Sequence, residues 1–330
     1  MKKLLTFLIV YPLTALLALR AGTAVTGFLS IGEFFTGVSP LAVVTTLAAG
    51  FAVASYLLGA VTNDYSWVDR LWSTAPVLFA WVYAVRSSLA TGPTVAALLI
   101  SVWGLRLTFN FARRGGYTTI EDYRWPIVKE KIGNPILWQL FNLLFISAFQ
   151  LGLFILFTAP VYRLSTLAGS PSILTLAAGG AALLVLLSIE TTADQQQWTF
   201  QNIKHGNLPA EDPPGWFAAP GEDPGSALQG DLERGFLTHG LFRFSRHPNY
   251  FGELGVWWTV FIVAGVAAGG FLHWSGLGAV LLTALFVGST RLTESISASK
   301  YPRYAMYQDR TSPIIPWLPA PPAGEEARAD

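Results

Sequence analysis

Long apolar segments separated by short polar loops make up most of the chain. A bilayer core about 30 Å thick needs about 20 apolar residues per helix. Eight stretches approach that length, at about residues 4–20, 41–61, 71–90, 94–112, 138–160, 173–193, 251–270 and 274–291. This pattern predicts an all-α fold, a polytopic integral membrane helix bundle of about seven to eight transmembrane helices.

The first apolar stretch has two interpretations. It follows Lys2 and Lys3 and is short enough to resemble a signal peptide, with small residues behind it as a cleavage region. If instead it is retained and all eight stretches cross with a cytoplasmic N-terminus, only Arg20, Arg86 and Arg163 of the 21 Lys and Arg residues lie on the far side. That asymmetry obeys the positive-inside rule, so it favours a retained first helix and cytoplasmic N- and C-termini.

The composition agrees with a membrane protein and excludes several kinds of site. Hydrophobic residues make up 52% of the chain and charged residues 12%, against about 25% charged in soluble proteins. The net charge of +1 gives no reason to expect nucleic-acid binding. There are no cysteines, and the four histidines lack metal-ligand spacing, so we expect no metal site.

Two polar segments stand apart from the apolar ones. Residues 195–235 are rich in Pro, Gly and acidic side chains, which predicts an irregular, mobile excursion with no core of its own, either a lid or a tolerated insertion. The tail after Pro319 has the composition of a disordered segment. The expected organisation is 1–62 as N-terminal transmembrane helices, 63–319 as one membrane domain, and 320–330 as a disordered tail.

The densest polar motif lies just before the seventh apolar stretch and reads S-R-H-P-N-Y-F-G-E. Pro248 fixes its own φ and disfavours a helical His247, so a helix is predicted to begin at about Pro248 or Asn249. Backbone N–H groups at that helix start, beside Arg246 and His247, would form an anion site. The alternative is a basic juxtamembrane anchor that binds lipid headgroups.

Further ionisable residues fall near the ends of the apolar stretches. They are Asp69, Arg106, Glu190, Asp194, Glu253, Arg291 and Glu294. Charges at hydrocarbon depth are costly and usually functional, so their shared cytoplasmic half predicts one cavity open to the cytoplasm. Alternatively they neutralise each other in pairs, such as Asp69 with Arg70 or Arg106, and Glu294 with Arg291.

The C-terminal region places three tyrosines beside basic residues. Tyr301, Tyr304 and Tyr307 recur every three residues and share a broad helical face, next to Arg303 and Arg310. Such a set can stack on a planar ring and bind phosphates. Equally, Tyr and Arg are residues that commonly lie at the lipid headgroups.

The motif S-R-H-P-N-Y-F-G-E, with E-T-T-A-D-Q-Q-Q before it and Y-x-x-Y-x-x-Y-Q-D-R-T-S-P-I-I-P-W after it, resembles the steroid 5α-reductase C-terminal domain superfamily. Within that superfamily it is most similar to bacterial DUF1295 proteins, over about residues 60–320. The resemblance implies a bundle of roughly seven or more helices, a bacterial inner membrane location, and NADPH-dependent reduction of an activated C=C bond in a steroid-like, isoprenoid or enoyl lipid. Isoprenylcysteine carboxyl methyltransferases share R-H-P-x-Y more distantly and bind S-adenosylmethionine, which gives the alternative function.

The resemblance also implies roles for individual residues. Asp69 stands where the superfamily has an acid that polarises the substrate carbonyl, but the matching tyrosine position falls on Trp103, so Tyr65, Tyr117 or Tyr123 would have to supply the proton. Gln201 stands where relatives tend to carry Lys or Arg. The predicted catalytic residues are Asp69, Tyr123 and Glu253, and the predicted NADPH contacts are Glu190, Asp194, Arg234, Arg246, His247, Asn249, Tyr250, Glu253, Arg291, Tyr301, Tyr304 and Arg310. The expected partners are a lipophilic substrate and membrane lipids, with the oligomeric state left open and a monomer as the simplest case.

Overall fold

The structure, a computed structural model, describes residues 37–118, 121–211, 213–219 and 221–321. Throughout these residues the regular elements are helices: α1 Pro40–Thr62, α2 Trp67–Leu71, α3 Ala75–Arg86, α4 Thr91–Arg113, α5 Arg124–Ile132, α6 Pro135–Ser165, α7 Ile173–Lys204, α8 Pro224–Arg234, α9 Pro248–Ala267, α10 Leu277–Lys300 and α11 Tyr304–Arg310. Short 3₁₀ turns at Gly215–Phe217, Gly240–Arg243 and Trp274–Gly276 connect some of them. The predicted span at 4–20 and most of the predicted 320–330 tail lie outside the described residues.

The predicted all-helical, multi-pass membrane fold is confirmed. Among the described residues, six helices are long and apolar enough to cross a membrane: α1, α4, α6, α7, α9 and α10 with its preceding turn. The predicted span at 71–90 has a different form, because its apolar helix is limited to the 12 residues of α3. The positive φ angles of Ser88 and Leu89 end that helix early, since a residue with positive φ cannot continue it.

The described chain forms two compact units. Unit 1 contains residues up to Leu176 together with Phe261–Gly278, and unit 2 contains Ala177–Val260 and the residues from Ala279 onward. In unit 1 the helices α3, α4 and α6 pack around large side chains that are almost fully buried, among them Phe79, Tyr83, Ile100, Trp103, Phe154 and Phe157. Gly104 lets α4 approach α3 closely, because a Cβ there would lie 2.4 Å from the Val77 side chain and 2.7 Å from the Ser73 carbonyl oxygen.

Helix α6 in unit 1 changes its hydrogen-bonding pattern partway along. It begins with Asn134 as its cap, whose side-chain oxygen accepts from the N–H groups of Ile136 and Leu137. The segment Asn142–Phe149 is a π-helix, and the α-helical pattern resumes at Gln150. The π-helical segment packs against α1. Such segments are rare and often occur at functional sites.

Unit 2 has a core that the sequence interpretation did not anticipate. Helix α7 continues to Lys204, and α8 follows within the segment predicted to be irregular. The core lies between these helices and the chain after them, and its buried residues are Ala193, Phe200, Ile203, Phe217, Leu228, Leu237 and Phe242. The prediction that residues 195–235 have no core of their own is therefore wrong. Pro, Gly and acidic residues outnumber the apolar residues of this segment. Those few apolar side chains nevertheless pack together in one core.

Candidate active site

In unit 1, Asp69 lies on the short helix α2 and faces the start of α5. Its carboxylate Oδ2 accepts a hydrogen bond from the Trp125 indole Nε1 at 3.0 Å. Burial, with a further contribution from the nearby Asp122 carboxylate, raises the pKa of Asp69 above its ordinary value. The surroundings therefore favour the protonated acid, the form that can donate a hydrogen bond to a carbonyl oxygen.

Arg70, next to Asp69, has a structural role instead. Its Nη2 lies 2.8 Å from Asp64 Oδ2 and its Nε donates to the Gly116 carbonyl oxygen at 3.2 Å, with the Arg70 side chain 2% exposed. Arg70 thus ties the loop after α1 to the loop after α4. Of the ion pairs that the sequence suggested, Asp69 with Arg70 is replaced by Asp64 with Arg70.

The three tyrosines considered as proton donors lie in different surroundings. Tyr123 is 53% exposed and caps the start of α5. Tyr65 is 3% exposed and its hydroxyl accepts from the Gln139 side chain at 3.3 Å. The Tyr117 hydroxyl lies 3.2 Å from that of Ser73, which in turn lies 2.7 Å from Thr108 Oγ1. Sequence reasoning missed this row of hydroxyls, because Ser73 and Thr108 lie in apolar runs with no motif.

In unit 2, the predicted acids and amide of α7 and α9 come together. Asn249 Nδ2 donates to Asp194 Oδ1 at 3.4 Å. Glu190 packs against Gly252, because a Cβ on this glycine would lie 2.7 Å from the Glu190 Cβ. One residue further on, Glu253 accepts from the Trp257 indole at 3.0 Å. Glu190, Asp194 and Glu253 are all buried, and the first two lie where α7 meets α9.

Arg246 is held by an extensive set of internal contacts. Its Nε and Nη2 form a fork with the Glu294 carboxylate at 2.6 and 2.9 Å, and its Nη1 donates to the carbonyl oxygens of Gln308 and Thr311. Glu294 also lies 3.1 Å from His247 Nε2. The expected partner of Glu294 was Arg291, which is exposed, and the observed partner is Arg246. Both Arg246 and His247 already contact the Glu294 carboxylate. Their proposed contacts with phosphate stay predictions.

The C-terminal segment pairs with the residues in front of α9. The N–H groups of Arg246 and His247 donate to the carbonyl oxygens of Ser312 and Pro313 at 2.8 and 3.0 Å, and Trp317 N–H donates to the Phe244 carbonyl oxygen. Helix α9 begins at Pro248, as predicted. Backbone hydrogen bonds therefore join the motifs R-H-P and T-S-P-I-I-P-W in this chain.

Arg234 belongs to a second ion-pair network in unit 2. It pairs with the fully buried Asp231 at 2.7 Å, and Asp231 also accepts from the Thr238 N–H and hydroxyl and lies 2.8 Å from His239 Nδ1. Burial opposes the charge of Asp231, but the hydrogen bonds from His239, Thr238 and Arg234 outweigh it and lower its pKa. Its carboxylate is therefore charged at neutral pH.

The three C-terminal tyrosines surround one phenylalanine. Phe236 lies 5.6, 5.0 and 5.6 Å, between ring centroids, from Tyr301, Tyr304 and Tyr307. Lys204 Nζ donates to the Tyr301 hydroxyl at 2.9 Å and to the Gly235 carbonyl oxygen at 2.6 Å. Although burial raises it, the pKa of Tyr301 is lowered on balance by Lys204 and Lys300. Lys204 lies one turn beyond Gln201, and the sequence interpretation did not select it.

The remaining predicted contacts have separate positions. Tyr250 stacks on His247 with ring centroids 4.9 Å apart and meets Phe286 edge-on. Arg291 and Arg310 are exposed, and Arg310 Nε donates to the Ala320 carbonyl oxygen. Within the described residues no group of His, Asp and Glu could hold a metal ion.

Comparisons with known proteins identify one matching family and a similar protein from yeast. The model of the family described as protein of unknown function (DUF1295) matches residues 55–311. An uncharacterized protein of the fission yeast Schizosaccharomyces pombe is 34% identical over 308 residues, which cover 89% of this chain and 84% of the yeast protein. No solved structure matches the chain. Because the family model spans both the Asp69 region and the C-terminal tyrosines, the chain belongs to the DUF1295 family.

Proposed function

We propose that the protein is a membrane-embedded reductase that uses NADPH to reduce an activated C=C bond in a steroid-like, isoprenoid or enoyl lipid. The observation that supports this most is the environment of Asp69, which favours a proton on a carboxyl group held in place by the Trp125 indole. A neutral acid of this kind can donate to a substrate carbonyl oxygen and stabilise the negative charge that develops there.

The cofactor would supply the hydride that adds to the β-carbon. As negative charge then moves to the carbonyl oxygen, Asp69 donates its hydrogen bond to that oxygen, and a hydroxyl group delivers a proton to the α-carbon. The Tyr117 hydroxyl, linked through Ser73 to Thr108, is better supported as this donor than the exposed Tyr123.

The residues of unit 2 fit a dinucleotide in their chemistry. The Asp194 and Asn249 pair offers an amide and a carboxylate, as a carboxamide requires. Arg291 and Arg310 are exposed cations suited to phosphates. Arg246 and Arg234 are already paired with buried carboxylates, so their proposed contribution is to stabilise the fold around the site.

Cofactor binding is tested with the full chain in lipid nanodiscs, by thermal unfolding with NADPH or S-adenosylmethionine. We expect stabilisation by NADPH, and a smaller shift in Asn249→Leu because the carboxamide contact is lost. Glu233→Gln, which changes a polar side chain of α8, is the control and should keep the full shift. Stabilisation by S-adenosylmethionine alone would contradict the proposal and favour a methyltransferase.

The role of Asp69 is tested by NADPH oxidation with a panel of enone steroids, isoprenoid enones and enoyl lipids. Asp69→Asn should lower turnover by about 10²- to 10⁴-fold, the range for one acid–base group, while NADPH binding is retained. Glu130→Gln, an exposed carboxylate on α5, is the control and should have no effect. Because the protonated form is the active one, wild-type turnover should fall as the pH rises through the raised pKa of Asp69. A pH profile that Asp69→Asn leaves unchanged would argue against this role.

A further inference from the structure

Four polar side-chain atoms on one stretch of α6 lack a hydrogen-bond partner within the part of the chain that the structure describes. They are Trp138 Nε1, Gln139 Oε1, Asn142 Nδ2 and Ser147 Oγ. Trp138, Asn142 and Ser147 are 2%, 1% and 0% exposed. A buried polar group in this state is costly, and folded proteins contain few of them. We refer to these four residues as the α6 polar cluster.

The contacts around the cluster show that its first three members are neighbours. A Cβ on Gly59 of α1 would lie 3.3 Å from Asn142 Nδ2 and also 3.3 Å from the Tyr65 ring, so both border the same space beside that glycine. Gln139 Nε2 donates to the Tyr65 hydroxyl, and the Tyr65 ring meets Trp138 edge-on with centroids 4.7 Å apart. Tyr65 therefore connects the three polar side chains.

The π-helical segment brings Ser147 to the same face. Asn142 and Ser147 are five residues apart, which is the hydrogen-bonding repeat of a π-helix. In an α-helix the same separation would turn the two side chains about 140° apart, at 100° per residue. Both are buried in the structure, while Leu143 and Leu144 between them are exposed. The change in helix type thus places the Asn142 and Ser147 side chains on the buried face of α6, while the exposed face is apolar.

The chemistry of the cluster selects a neutral oxygen. The Asn142 amide and the Trp138 indole are donors, the Ser147 hydroxyl donates or accepts, and Gln139 Oε1 accepts. The cluster itself carries no charge. One cation, Lys129, is exposed and lies over the rings of Tyr65 and Trp138, with its Nζ 5.1 and 5.8 Å from the two ring centroids. We propose that the α6 polar cluster binds the hydroxyl or carbonyl oxygen of an amphipathic lipid whose hydrocarbon tail lies along the apolar surface of α6.

The proposal is tested by photolabelling the full chain in lipid nanodiscs, without NADPH. The probe is a hexadecanol that carries a diazirine near the hydroxyl group, and the labelled peptides are mapped by mass spectrometry. We expect labelling within 135–150 and 55–65, with competition by unlabelled hexadecanol and none by hexadecane. Equal competition by hexadecane would overturn the proposal, because a site that recognises an oxygen must discriminate against the alkane. In that case bound water, and not a lipid oxygen, would be the hydrogen-bond partner of the four polar atoms.

Two variants remove the recognition groups. Asn142→Leu keeps the side-chain size, and Ser147→Ala removes a single hydroxyl and serves if the first variant does not fold. Each should weaken competition by hexadecanol about tenfold, the equivalent of one hydrogen bond. The matched control is Thr158→Val, whose hydroxyl already donates to the Phe154 carbonyl oxygen in the same helix. Unchanged competition in both test variants would overturn the proposal. Because no cofactor is present, neither result depends on the reductase activity.

Discussion

The ion-pair networks of unit 2 and the α6 polar cluster of unit 1 treat buried polar groups in opposite ways. In unit 2 the carboxylates of Glu294 and Asp231 are each surrounded by donors. In the α6 polar cluster, side chains such as Asn142 and Ser147 are equally buried, yet they have atoms that nothing in the described chain satisfies. A satisfied network holds a fold together, whereas several unsatisfied groups at one place call for a bound polar molecule, and the proposed one is a lipid oxygen.

The largest expected effect comes from breaking the network around Glu294. Glu294→Gln removes the charge that Arg246 and His247 both contact, and loss of one partner of a buried ion pair costs about 3–5 kcal/mol. We expect a matching decrease in the free energy of unfolding, measured by denaturant titration in detergent. Hydrogen exchange should also increase at residues 244–247 and 311–318, which pair there. Arg243→Ala, an exposed arginine three residues away, is the control. A variant as stable as wild type would mean that this network is not structural.

A smaller effect is expected at the second network. Asp231→Asn leaves Arg234 and His239 without their carboxylate, which should cost about 1–3 kcal/mol at neutral pH. Because the folded-state pKa of Asp231 is lowered, its stabilising effect is present above the unfolded-state pKa and is lost as the pH falls through the folded-state value. The stability difference between wild type and variant should therefore shrink in acid. Asp309→Asn, at an exposed carboxylate, should show no such difference.

The smallest effect, and one of opposite sign, is expected in the α6 polar cluster. Without added lipid alcohol, Asn142→Leu removes an unsatisfied amide, so its effect on stability should be neutral or stabilising by up to about 1 kcal/mol. The same substitution at Asn110 of α4 should destabilise, because Asn110 Oδ1 accepts from Arg113 Nε at 2.9 Å. Thermal unfolding of the two variants side by side measures the contrast directly. Equal losses in both would remove the distinction between the two regions.

The sequence predicted the membrane-spanning helices well, because their signal is the length of an apolar run. The start of α9 was predicted by Pro248, whose φ is fixed and suits the first position of a helix. The core of unit 2 was missed, since Phe200, Phe217 and Leu228 come from separate short segments whose composition resembles a loop. No local pattern shows that such residues will meet.

For the candidate site, the sequence selected several residues that the structure places in hydrogen-bonded contacts, but it did not identify their partners. Asp194 and Asn249 were both selected, and the structure places them in contact. Arg246 was interpreted as a phosphate ligand, yet its partner Glu294 lies 48 residues later, and an arginine motif looks the same whether it binds an anion or a buried carboxylate. The α6 polar cluster was invisible, because Asn142 and Ser147 suggest opposite faces until the helix is known to be π-helical.

The pairing of the C-terminal segment with residues 244–247 has a consequence for how the protein is made. Arg246 leaves the ribosome before Thr311, which accepts one of its hydrogen bonds and follows 65 residues later. Until Thr311 is synthesised, the Arg246 guanidinium and the N–H groups of Arg246 and His247 must be hydrated or bound by a chaperone. A chain that stops before Thr311 could not form these contacts, so we expect such a truncated protein to be degraded even though helices α1 to α10 are intact.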